Sequence, residues 1–206
     1  VNLAAALAQT GMKVGLMDAD IYGPSVPTML GKVDAQPETS ADKKLIPVEA
    51  HGLKTLSIGY LSDPDAPMIW RGPIVMSALT QMLNAAAWGT PEEPLDILVI
   101  DTPPGTGEAA LPLAQRETMS WFEAPGGERH YLMGEGGGAR VATALGLPLL
   151  AELPMVQAIR EGGDAGVPAA LSGGEPAQLF NALAKTVALG IDALETKPAP
   201  EIVFED

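Results

Sequence analysis

The chain has 206 residues, 47% of them apolar, with 26 acidic against 12 basic side chains and a formal net charge of −14. That length supports one domain with a sizeable core, and the acidic balance argues against nucleic acid or anionic lipid held by bulk electrostatics. The lack of any cysteine excludes disulfides, thiolate metal sites and cysteine nucleophiles from these residues, and no apolar run reaches the roughly 18 residues of a membrane span. No secretory signal pattern opens the sequence, so a cytoplasmic protein is expected.

Residues 1–9, rich in alanine and leucine, predict a helix closed by Gly11. No N-cap or turn precedes it, so the helix is expected to begin in its middle, with natural sequence upstream. A short buried strand at residues 14–17 runs into Asp18 and Asp20, followed by a loop and a helical turn marked by Pro24 and Pro27. An irregular polar stretch holds an edge strand at 45–48, and a further strand alternates at Leu53, Thr55 and Ser57. Apolar residues at helical spacing span 74–87, with Pro73 near the first turn. The apolar strand 95–100 ends in Asp101 and the loop "TPPGTG". Residues 108–116 read as a helix start. A strand end, a hairpin around residues 125–127 and the glycine-rich run "GEGGG" follow. A helix at "ARVATALG", a short strand at "LPLLAELP", a helical turn at "VQAIREGGDAGVP" and an amphipathic helix ending near residue 194 complete the domain. Residues 195–206 read as an acidic tail. Alternating strands and helices predict an α/β fold with a mainly parallel sheet.

Two strands thus end in carboxylates, at "VGLMDAD" and "ILVIDTPPG", and in a parallel sheet both ends face the same ligand-binding edge. Paired aspartates there suit Mg²⁺, a hard cation that takes carboxylates together with phosphate oxygens. A second aspartate can orient the attacking water in phosphoryl transfer. The expected partner, a glycine-rich loop with lysine of the form GxxxxGK[ST], does not occur, and "GEGGG" lacks the lysine. Half of a phosphate site is visible.

The segments "VNLAAALAQTGMKVGLMDADIYGPSVPTMLG", "WRGPIVMSALTQML", "DILVIDTPPGTGEAALPLAQ", "MSWFEAP", "GEGGG" and "IREGGDAG", in that order, resemble the Mrp/NBP-type (ApbC-like) P-loop ATPases of the MinD/ParA-like group. The resemblance spans nearly the whole chain, and "DADIYGPS" with "DTPPGTG" is its most specific part. It implies a P-loop layered sandwich and a homodimeric ATP-binding, ATP-hydrolysing carrier or scaffold for iron–sulfur clusters. Acceptor or scaffold proteins would be its partners, and ATP and Mg²⁺ its cofactors. On that resemblance Asp20 is the switch I carboxylate that positions the attacking water, and Asp101 is the Walker B carboxylate coupled to Mg²⁺. Residues 102–107, including Thr102, Pro103 and Gly105, form the switch that senses the γ-phosphate. For Asp18 a capping or solvated role stands beside a functional one.

Three departures from the family pattern stand out. The Walker A loop, GKGGVGKS in the family, belongs immediately before the first helix and is absent. About 40 residues, one strand–helix–strand unit, are missing after Arg116, and the family's adenine-contacting Asn falls at Thr118. The family's CPxC pair is replaced by "EAPGG", with Ala124 and Gly127 at its positions, so no thiolate is present for a cluster. A MinD/ParA-like positioning ATPase and a non-catalytic partner-binding remnant remain as alternatives. The first lacks the basic amphipathic C-terminal helix that a membrane switch needs. Among weaker candidates, Arg71 faces either a nucleotide or partner, or a surface salt bridge. His51 and His130 are expected to be structural, and Trp121 and Phe122 to pack the hairpin.

Overall fold

The computed structural model describes residues 1–20, 23–61, 72–102, 119–124, 126–131 and 134–194. Helix α1 (Asn2–Gln9) ends as its composition predicts: Thr10 Oγ1 donates to Leu7 O at 2.7 Å, and Gly11 takes a left-handed φ of +94°. Strand β1 (Val14–Asp18) follows, buried along its whole length. After the short helix α2 (Val26–Met29) come β2 (Glu38–Thr39), β3 (Leu45–Ile46) and β4 (Val48–Ala50). The edge strand expected at 45–48 is split in two at Pro47, which has no N–H to give a ladder. β5 (Leu53–Ser57) returns antiparallel to β4 through a tight turn in which His51 and Gly52 have φ of +50° and +77°.

Helix α3 (Gly72–Asn84) stops three residues short of the expected end. Residues 85–87 extend instead to bridge Leu45, whose N–H donates to Ala85 O and whose carbonyl accepts from Ala87 N–H. β6 (Ile97–Asp101) starts two residues later than expected, since Asp96 turns its carboxylate to the Lys13 N–H at 2.6 Å. Beyond it lie β7 (Met119–Glu123), β8 (Arg129–His130), α4 (Gly137–Leu145), β9 (Leu153–Pro154), α5 (Gln157–Asp164) and α6 (Gly174–Leu194). The helix expected from residue 108 and the acidic tail lie outside the described residues. The hairpin forms between β7 and β8, and β7 pairs in parallel with β9.

The central sheet runs β4-β5-β1-β6 with β1 parallel to both neighbours. One face carries α1 and α6, meeting through Ala4, Ala5, Ala6, Leu7, Phe180 and Ala184; the other packs Met82 and Trp88 against Met17 and Leu56. Covered faces explain why β5 is buried at Thr55 and Ser57 as well as at its leucines. Those two hydroxyls are satisfied internally, Thr55 Oγ1 on Val48 O and Ser57 Oγ on Asp18.

Candidate nucleotide site at the sheet edge

Parallel pairing sets Asp18 beside Asp101 on β6 and beside Ser57 on β5. Three strand ends thereby place Ser, Asp and Asp in a row along the carboxyl edge, where open α/β sheets bind ligands. Helix α1 begins at the same edge. Val1, just before its first turn, lies close enough to feel the charges of Asp101 and Asp18.

Asp18 is fully buried. Its Oδ2 accepts from Ser57 Oγ at 2.8 Å and Val26 N–H at 3.3 Å, and its Oδ1 accepts from Asp20 N–H at 3.1 Å. Burial raises its pKa, the bonds from Ser57, Asp20 and Val26 pull it back, and the Asp101 charge adds to the rise. Val26 opens α2, whose N-cap Ser25 makes no side-chain cap bond. Asp18 therefore serves an orphan N–H of that helix from the neighbouring strand. The capping alternative for Asp18 is what the structure shows, and the cap reaches across eight residues.

Asp20 is half-buried on the loop that leaves β1, with its Oδ2 only 3.7 Å from where a side chain at Gly23 would begin. Asp101 is half-buried too; its main-chain oxygen accepts from Ala19 N–H at 2.8 Å. Among the described residues no hydrogen bond reaches the Asp101 carboxylate. Thr102 follows, exposed. The structure thus brings Asp18, Asp20, Asp101 and Thr102 to one edge. Pro103, Gly105, Thr118 and Arg71 lie outside the described residues.

Neither histidine belongs to this edge. His51 shares a hydrogen bond of 2.9 Å with Gly166 O, and His130 sits 3.9 Å from Glu128 on the hairpin. Trp121 packs within the hairpin as expected, under the Arg129 guanidinium at 4.5 Å. Phe122 does not: it is 43% exposed and lines an apolar groove of about 1080 Å³ with Met29, Met155, Val156 and Ile159. Among the described residues no group of three or more His, Asp or Glu could hold a metal ion. Nor is any helix there long and apolar enough to cross a membrane.

The family ParA, described as NUBPL iron-transfer P-loop NTPase, matches residues 1–120. An Arabidopsis thaliana relative, the iron-sulfur protein required for NADH dehydrogenase, mitochondrial, is 38% identical over 98% of this chain and 76% of its own length. The chain belongs to this family. That alignment covers 244 positions, so at least 38 of them hold no residue of this 206-residue chain. An iron-sulfur cluster carrier protein of Synechocystis is 40% identical over 91% of this chain and 65% of its own length. The family shares its fold with a nucleotide-binding protein of Archaeoglobus fulgidus solved in complex with ADP. The two are 26% identical with a TM-score of 0.66, over 87% of this chain and 84% of that one. The P-loop α/β class and the iron-transfer family expected from "DADIYGPS" and "DTPPGTG" are the ones found. Ser57 was not legible as a site residue. Its signal was a hydroxyl ending an otherwise buried strand, which gains meaning only once the register is known.

Proposed function

We propose that this chain binds ATP with Mg²⁺ at the carboxyl edge of β1 and β6 and couples its hydrolysis to the transfer of an iron–sulfur cluster to an acceptor protein. The observation that carries this reading is the parallel register of Asp18 with Asp101, beside the start of α1. It puts a half-buried carboxylate, without a hydrogen-bond partner among the described residues, where phosphates would meet a helix start. Asp101 fits a hard cation, and bound Mg²⁺ would supply charge neutralisation on the phosphate oxygens. Asp20 would accept a hydrogen bond from the attacking water and aim it. Thr102, with Pro103 and Gly105 beyond it, would register the γ-phosphate, and Thr118 would lie near the adenine. A lysine-bearing loop directly before α1, as the family resemblance implies, would complete the phosphate cradle at the same edge.

The cluster is cargo in this reading. None of these 206 residues is a cysteine, so in this reading the cluster's thiolate ligands lie outside them, for example on the acceptor or a scaffold. The chain spans 65% of the Synechocystis carrier, so catalysis, partners and cargo are proposed rather than inherited. A homodimer and, by likeness to bacterial carriers, a cytoplasmic location are proposed on the same footing. The test is cluster transfer from a loaded scaffold to an apo-acceptor, with and without ATP, alongside phosphate release by the full-length protein. ATP-accelerated transfer supports the proposal. Hydrolysis without transfer leaves a positioning-type ATPase, and neither activity leaves a partner-binding remnant.

A further inference from the structure

The buried polar chain at the strand ends does more than satisfy itself. Gly59 N–H donates to Ser57 Oγ at 3.0 Å, Ser57 Oγ donates to Asp18 Oδ2, and Asp18 accepts the backbone N–H groups of Asp20 and Val26. It ties the turn after β5, the end of β1, the Asp20 loop and the first turn of α2 into one unit. Ser57 and Asp18 are both 0% exposed. Three of the roughly four lone-pair directions of the Asp18 carboxylate are already used, which leaves it poorly placed as a metal ligand. Asp101, its register partner, has the opposite character, half-buried and without a side-chain hydrogen bond among the described residues.

We propose that Asp18 is the positioning residue of the site: with Ser57 it clamps the loop that carries Asp20, so that the Asp20 carboxylate is held in place before nucleotide arrives. This rests on the nucleotide reading above. The division of labour is then physical. Asp101 is open to the ligand, Asp20 is half-open on a short loop, and Asp18 fixes that loop to the rigid centre of the sheet. Asp20 N–H and Val26 N–H both end on Asp18, and Ala19 N–H, on Asp101 O, ties the same loop to a neighbouring strand. A site held within about half an ångström needs such a supporting shell.

The clamp makes a prediction that a merely structural aspartate does not. Asp18→Asn keeps the volume and the Oδ1 acceptor but puts an amide N–H₂ where Oδ2 accepts two donors. Ser57→Ala removes one donor and is the milder change. In the full-length protein, Asp18→Asn is expected to lower kcat for ATP hydrolysis about 10–100-fold with KM for MgATP within about twofold, because the water-aiming group loses its position. Ser57→Ala should fall between the wild type and Asp18→Asn. Amide hydrogen exchange at Asp20 and Val26 should quicken at least about tenfold in both variants, with α1 and α6 unchanged. A rise in KM with kcat intact would overturn the proposal by making Asp18 a ligand of the nucleotide complex. A lower melting temperature with kcat and loop exchange both unchanged would overturn it by making Asp18 structural only. If the wild type neither binds nor hydrolyses ATP, the nucleotide reading fails and the positioning role falls with it. The exchange data then show separately whether the clamp exists as a loop anchor.

Discussion

Gly166→Ala tests how the loops cross at the amino edge of the sheet, opposite the site. Gly166 follows α5 and takes φ +73°, and Gly31 follows α2 and takes φ +65°. The two backbones cross so closely that a Cβ on Gly166 would lie 2.4 Å from Gly31 Cα and 2.6 Å from Gly31 N. No flexible side chain can yield there, because the obstacle is main chain. An alanine in the left-handed region costs about 1–2 kcal/mol. Forcing the loops apart costs about 1–3 kcal/mol more, by analogy with overpacking. The shift also strains the His51 Nε2–Gly166 O bond of 2.9 Å, worth about 1 kcal/mol. The expected loss is about 3–6 kcal/mol, or about 6–24 °C in Tm for a chain of this size. The control is Gly173→Ala: φ there is +79° with nothing within 4 Å, so it carries the conformational cost alone, about 1–2 kcal/mol. Urea denaturation of both variants measures the difference. Equal losses would show that the Gly31–Gly166 crossing is not as close as described.

Three further outcomes are expected. Asp18 has a pKa raised above its usual 3.8, so the folded state holds a proton that the unfolded state has released, and the associated stability is full below 3.8 and lost as pH rises through the folded value. The stability of the wild type relative to Asp18→Asn should therefore fall as pH rises from 3.8 through the folded pKa, and a rise over that interval would contradict the burial argument. Leu16→Ala, at a fully buried position in the central strand, should cost about 3–5 kcal/mol by urea denaturation, since strands on both sides prevent collapse. Breaking Lys13–Glu93, 3.9 Å apart and exposed on both sides, should change the same midpoint by less than about 1 kcal/mol.

Much of the fold was legible because β1 and β6 are short, apolar and end in aspartate, and because α1 and α6 carry their apolar residues at helical spacing. The paired carboxyl ends at one edge followed from parallel pairing alone. The missed boundaries have local causes. Pro47 split an edge strand, residues 85–87 left the helix to bridge Leu45, and Asp96 capped Lys13 rather than entering β6. Phe122 read as hairpin packing because sequence spacing cannot show that Met155 and Val156 approach from another part of the chain. The role of Asp18 stayed open for the same reason: its decisive partner, Ser57, is 39 residues away. Asp101 ends β6 at the sheet edge, while Pro103, Gly105 and Thr118 fall outside the described residues; the roles of all four stand as proposals.

The central claim is that nucleotide sits at the edge formed by Asp18, Asp20 and Asp101. Titration of the full-length protein with ATP, with and without Mg²⁺, read by amide chemical shifts and repeated on Asp101→Asn, tests it most directly. The account predicts saturable shifts at Asp20, Asp101 and Thr102, tightened by Mg²⁺, with the Mg²⁺ dependence lost in the variant. Shifts confined to other parts of the molecule, or a Mg²⁺ dependence that survives Asp101→Asn, would contradict it.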